Sequence, residues 1–86
     1  LPNSKSKTLE KQTISISIDK NINFYIDENQ VDINELERRL INILSSEQEP
    51  AIILNSDKSV EIEHVVKVMD IAYRNNYRIV LATDPS

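Results

Sequence analysis

Residues 51–83 read AIILNSDKSVEIEHVVKVMDIAYRNNYRIVLAT, and this stretch decides the fold. It opens on Ala51-Ile52-Ile53-Leu54, a short continuous apolar run that suits a strand buried on both sides or a central strand. Asn55-Ser56-Asp57-Lys58-Ser59 is a polar loop. A helix follows, with Ile62, Val65, Val66, Met69, Ala72 and Tyr73 as its expected apolar face. Glu61 and Glu63 in the first turn and Arg74 in the last complement the helix dipole. Asn75-Asn76 ends it, since Asn is the usual residue besides Gly for a left-handed cap. Arg78-Ile79-Val80-Leu81-Ala82-Thr83 is the last strand. A strand, helix, strand unit predicts two parallel strands joined by a right-handed crossover.

Upstream, Thr13-Ile14-Ser15-Ile16-Ser17-Ile18 alternates strictly between Ile and small hydroxyl residues, as a half-buried strand does. Asp19-Lys20-Asn21 is turn chemistry, and Asn23-Phe24-Tyr25-Ile26 is the other arm of an expected antiparallel hairpin. Asp27-Glu28-Asn29-Gln30 reads as a further turn. The next helix starts at Val31-Asp32-Ile33-Asn34-Glu35, with Asp32 as cap, Glu35 in the place of a capping-box acid and Val31 set to staple onto Leu36. Its apolar face is Ile33, Leu36, Leu40, Ile43 and Leu44, and Glu35 and Arg39 form an i,i+4 pair on the wet side. The segment from Ser45 to Pro50 ends it. The expected class is α+β: a two-layer β-β-α-β-α-β sandwich, with a mixed sheet and both helices on one face. Ser15, Ser17 and their neighbours then lie on the outer face, and an exposed face and edge on a small domain are places for a partner.

The chain has 86 residues and a net charge of −4. It has no Cys and no Gly. The first absence excludes a disulfide framework, a thiolate metal site and a Cys nucleophile. The second excludes a Walker loop and a Rossmann fingerprint, which need backbone free of Cβ near phosphate. The acidic balance argues against nucleic acid as a partner. No apolar run approaches the ~20 residues that span a bilayer as a helix. Residues 1–12 carry Lys5, Lys7 and Lys11 against Glu10, a net of +2, which leaves −6 for residues 13–86. That first stretch shows no apolar period and is expected to be a flexible linker, with residues 13–86 as the domain. A domain this small buries only about 60% of its unfolded surface and gains from a dimer partner.

Nothing composes an active site. His64, the only His, falls off the expected apolar face, and without Cys it needs several carboxylates to hold zinc. Asp57 is simplest as a loop residue that bonds backbone amides, and Asp70 sits on the helix at a position that need not converge with it. Glu61 and Glu63 are simplest as surface charge. Ser15 and Ser17 have no base beside them. The Asp27-Glu28-Asn29 turn lacks the glycine and ligand series of a calcium loop. No catalytic, cofactor or metal residue is expected.

Several segments together resemble the periplasmic domain of the ExbD/TolR family of biopolymer transport proteins. The most specific are Ser56-Asp57-Lys58-Ser59-Val60 and Val65-Val66-Lys67-Val68-Met69-Asp70. The family pattern there is a strand, then Asp-Lys, a small residue, Val, and a helix reading V-x-V-M-D. Asn75-Asn76 stands where that helix often ends in Ala-Gly. Ile16-Ser17-Ile18-Asp19 looks like the family's first strand and Val31-Asp32-Ile33-Asn34-Glu35-Leu36 like the start of its first helix. Leu1-Pro2 looks like the Leu-Pro just beyond its single membrane helix.

The resemblance implies the periplasmic part of a single-pass inner-membrane protein of a Gram-negative bacterium. It implies that the proton-responsive Asp lies on a membrane helix outside these residues, within an ExbB-like channel pentamer. Implied partners are a second copy in a homodimer and a TonB-like energy transducer, in a motor driven by the proton motive force. The cargo of such a system is an iron chelate or vitamin B12, chosen by the outer-membrane receptor. A TolR-like domain of the Tol-Pal system that binds peptidoglycan is the alternative; the Leu1-Pro2 opening and the Asp57-Lys58 loop lean to ExbD. A small ligand-binding regulatory domain of the same element order is the reading outside the family. Grip on a partner is expected by strand addition to an exposed edge. The candidates are Ile79, Val80, Leu81, Ala82 and Thr83 of the last strand, and Ile14, Ser15 and Ile16 of the first. On that view a proline at Ala82 weakens partner binding and spares the fold.

Overall fold

The computed structural model describes residues 13–82. Leu1, Pro2, the expected linker over 1–12 and Thr83 lie outside the described residues. The elements run β1 (Thr13–Ile18), β2 (Phe24–Ile26), β3 (Asn29–Val31), α1 (Ile33–Leu44), β4 (Ala51–Ser56), α2 (Ile62–Arg74) and β5 (Arg78–Ala82). They form the expected α+β fold, with one strand more than the sequence reading found. The sheet order is β3-β2-β1-β4-β5. β1 pairs antiparallel with β2 and parallel with β4, and β4 pairs parallel with β5.

The additional strand is β3, placed where Asp27 to Gln30 reads as a turn. Only Asp27 and Glu28 turn, and Asn29 is already opposite Ile26. Asp27 takes φ 56°, a region that usually calls for Gly, so no glycine signal marks this hairpin. Val31 lies opposite Phe24, and both are buried. Burying those two side chains on one face is what extends the pairing.

The first hairpin turn is built by Asp19. Its carboxylate accepts from the Asn21 and Asn23 amides at 2.9 Å each, and from Asn23 Nδ2 and the Tyr25 hydroxyl at 3.2 and 3.0 Å. Four donors on one carboxylate hold Ile22 at φ 64°, a conformation that β-branched residues otherwise avoid. Those donors, with the Asn23 amide foremost, keep the Asp19 carboxyl below its usual range.

One face of the sheet carries the core. Ile14, Ile16, Ile18, Phe24, Ile26, Ile52 and Leu54 are buried there, joined in a single cluster by Leu36, Leu40 and Leu44 of α1 and Val65, Val68, Ile71 and Ala72 of α2. That cluster ties both helices to the same face. Ser15 and Ser17 point the other way, where Asn55 Nδ2 donates to Ser15 Oγ.

Both helix faces differ from the expected ones. On α1, Ile43 is exposed and the buried line is Leu36, Leu40 and Leu44. Asp32 caps as expected, accepting from the Asn34 amide at 2.9 Å. The Glu35 carboxylate pairs with Arg38 rather than Arg39 and does not complete a capping box. On α2 the buried line is Val65, Val68, Ile71 and Ala72, whereas Ile62, Val66, Met69 and Tyr73 are exposed. The helix has two apolar stripes, and spacing alone does not say which one meets the sheet. Its short β-branched side chains and Ala72 go inward, where α2 packs on the sheet beside β5.

α2 ends in a Schellman motif. The Asn76 amide donates to Tyr73 O at 3.3 Å and the Tyr77 amide to Ala72 O at 2.8 Å, with Asn76 at φ 61°. Asn solves there what glycine solves elsewhere. Asn76→Val should therefore cost about 1–2 kcal/mol in urea unfolding, and Asn76→Gly should cost nothing. Leu54→Ala, which empties the centre of the core, should cost ~2–5 kcal/mol in the same assay.

Candidate functional site

The sheet order decides which of the candidate strand edges exist. β1 lies between β2 and β4, so Ile14, Ser15 and Ile16 have no free edge. That half of the expectation is corrected: the parallel ladder from Thr13–Ala51 to Ile18–Ser56 uses the edge that the sequence left open. β5 is terminal in the sheet. Ile79, Val80, Leu81 and Ala82 are thus the residues of a real edge among the described residues.

Register says which of them present backbone to it. The Arg78 amide donates to Pro50 O at 3.0 Å, across to the β4 side. Backbone groups alternate sides along a strand, so those of Val80 and Ala82 also turn to β4, and those of Ile79 and Leu81 turn outward. A proline at Ala82 would break the β4–β5 ladder. The substitution that blocks the edge is Leu81→Pro.

The same alternation sorts the side chains. Ile79 lies opposite Ile52 and Leu81 opposite Leu54, on the helix face. Val80 points to the outer face and is 58% exposed. Between β5 and α2 runs a groove of about 310 Å³, lined by Met69, Asp70, Tyr73, Tyr77 and Ile79. Burial pushes the Tyr77 hydroxyl upward in pKa, with the Glu37 charge adding to it.

The other flank of α2 is locked to α1. Glu37 accepts from Arg74 Nη2 at 2.7 Å and from Asn75 Nδ2 at 2.8 Å. These two donors hold the Glu37 carboxyl below its usual range, and the Arg74 guanidinium is shifted upward by the same contact. Sequence reasoning assigned Arg74 to the dipole alone; a contact 37 residues away leaves no local signal.

The remaining candidates resolve simply. Asp57 accepts from the Ser59 amide at 3.0 Å and from the Ser59 hydroxyl, and these bonds keep its carboxyl low. It shapes the loop before α2 and is absent from the groove that Asp70 lines. Glu61, Glu63 and His64 bring their ligand atoms within 4.8 Å of one another at the start of α2. The positive end of the helix dipole opposes a cation there and accounts for the acids. His64 and Lys67 instead line an open cleft of about 530 Å³ with Ile22, Phe24, Asp32 and Ile33. Among the described residues no polar or charged side chain is fully buried.

The sequence matches a known family over the whole chain. The family model for biopolymer transport protein ExbD/TolR matches residues 1–86. The chain belongs to the ExbD/TolR family. Among curated proteins, none matches it. The family is transport-associated and non-enzymatic, with an energy-transducing role in biopolymer transport. Its members are membrane-anchored and place this domain in the periplasm, where it works with other envelope transport proteins. No helix among the described residues is long and apolar enough to cross a membrane.

In this ExbD/TolR domain the Glu37–Arg74 contact gives a pH dependence with a defined sign. A carboxyl lowered in the folded state adds stability above its unfolded value, near 4.5, and loses it as pH falls through the folded value. The urea midpoint should fall over that acid window, and Glu37→Gln should flatten the part of the fall that this carboxylate causes.

Proposed function

We propose that this domain is the periplasmic coupling module of an ExbD-like protein, in a motor of the ExbB-ExbD-TonB type driven by the proton motive force. In this reading residues 1–12 are a tether from a membrane helix, and residues 13–86 are the domain that meets the partner. A homodimer and an ExbB-like channel pentamer complete the assembly. The work starts with charge moving through the membrane potential, worth ~2.3 kcal/mol per elementary charge per 100 mV. It reaches a TonB-like transducer through this domain, for the uptake of iron chelates or vitamin B12. The Leu1-Pro2 opening and the Asp57-Lys58 loop support ExbD over TolR.

One observation carries the proposal for how the partner is held. β5 ends the sheet with the amides and carbonyls of Ile79 and Leu81 turned outward, beside exposed Val80 and Leu81. An extended segment of the transducer adds there as a further strand, gaining main-chain hydrogen bonds. A domain held this way transmits force along the strand direction, because several ladder bonds share the load.

The test is an amide NMR titration with the periplasmic segment of a TonB-type protein. Ile79 and Leu81 should shift, with new cross-strand contacts, and Leu81→Pro should abolish the effect while the core shifts of Ile16 and Leu54 stay in place. Silence with that segment, together with shifts on adding peptidoglycan fragments, contradicts the proposal and favours a wall-binding, TolR-like domain.

A further inference from the structure

The exposed stripe on α2 has no function in the fold. Ile62, Val66, Met69 and Tyr73 follow helical spacing, and Ile62 and Tyr73 are 70% and 86% exposed. Four apolar side chains in one line are more than scattered surface residues. The stripe lies on the flank away from α1, since Arg74 and Asn75 reach α1 on the opposite one. Met69 and Tyr73 line the groove against Ile79, so the stripe faces the open side of β5.

Its length fits a strand. The rise from Ile62 to Tyr73 is roughly 16 Å at ~1.5 Å per helical residue. A strand of about five residues covers the same distance at ~3.3 Å each. β5 itself has five residues, and a sixth strand laid along it would present every second side chain to the stripe.

Charge narrows the chemistry. Asp70 is the charged residue that lines the groove, whereas the Glu63 carboxylate lies 3.7 Å from His64 Nε2, which lines the cleft on the hairpin side. The basic residues of α2 lie elsewhere: Lys67 lines the cleft on the hairpin side and Arg74 meets Glu37. The one charge on the lining of the groove is therefore acidic. A second copy pairing through β5 would bring one Asp70 towards the other, which disfavours it.

We infer that the groove between α2 and β5 selects a basic, amphipathic strand, with Val- or Ile-like side chains on the stripe and Lys or Arg beside Asp70. The inference rests on the strand-addition reading above. Long basic side chains suit the place twice: their stems cover apolar surface, and their heads reach Asp70. Backbone pairing gives the affinity and this side-chain row gives the choice of partner.

The experiment uses the 86-residue chain and two acetylated, amidated nonapeptides. One reads Thr-Lys-Thr-Val-Thr-Val-Thr-Lys-Thr, and the other carries Glu in place of both Lys. Amide and methyl NMR follows the titration. The Lys peptide should shift the Ile79 and Leu81 amides together with the Met69 and Val66 methyls, and bind roughly tenfold or more tightly than the Glu peptide at low salt. Asp70→Lys, an exposed substitution, should reverse that preference, and Tyr73→Ser should weaken both peptides. Equal binding of the two peptides, or a preference unmoved by Asp70→Lys, overturns the inference and leaves strand addition standing. Binding of a TonB-type segment at β5 with neither peptide bound overturns it as well. Failure of every strand, the TonB-type segment included, removes the reading beneath it. Self-association through β5 that covers the Val66 and Met69 methyls overturns it in favour of a second copy.

Discussion

The parallel pairing of β1 with β4 fixes where every other element goes. Thr13 to Ile18 lie against Ala51 to Ser56, and the ladder places Ile14 beside Ile52 and Ile16 beside Leu54 on one face. All four are buried. Because β4 takes one side of β1, the hairpin strand β2 takes the other, and β3 follows β2 outward. β5 can then join only on the far side of β4. The open edge of β5 follows from that arrangement, as do the helices that cover a single face. In a domain with no glycine, the tight places that the arrangement needs are met by Asp27, Asn76 and Ile22 at positive φ.

Two unlike surfaces result. One flank of α2 is fixed to α1 through Glu37, Arg74 and Asn75, and the other shows an apolar stripe to solvent beside β5, whose outer edge is open among the described residues. A rigid body with one unfinished side suits a part that passes load to a partner.

Much of this was legible in the residues. The Ile-Ser alternation of β1, the Asp32 cap and the apolar run of β4 are local signals that place their elements, although β4 runs on through Asn55 and Ser56, which read as loop and are strand because they pair with Ser17 and Ile18. The left-handed Asn76 was legible from Asn75-Asn76. What escaped depends on pairing over distance. β3 has only three residues and is a strand because Val31 meets Phe24. α2 offers two stripes, and the choice between them is made by its close approach to the sheet. The edge candidates split for the same reason: whether a strand is central or terminal is a property of the whole order, and neither Ile14-Ser15-Ile16 nor Ile79-Val80-Leu81 carries it alone.

The central claim is that the outer side of β5 is open in the free domain and closed by an added strand. Residue-resolved hydrogen exchange tests it most directly. In the free chain the Val80 and Ala82 amides should be protected by β4, while those of Ile79 and Leu81 exchange rapidly. With a TonB-type periplasmic segment bound, Ile79 and Leu81 should become protected and Val80 and Ala82 should change little. Protection of Ile79 and Leu81 in the free monomer, or their continued rapid exchange in the complex, would contradict the account.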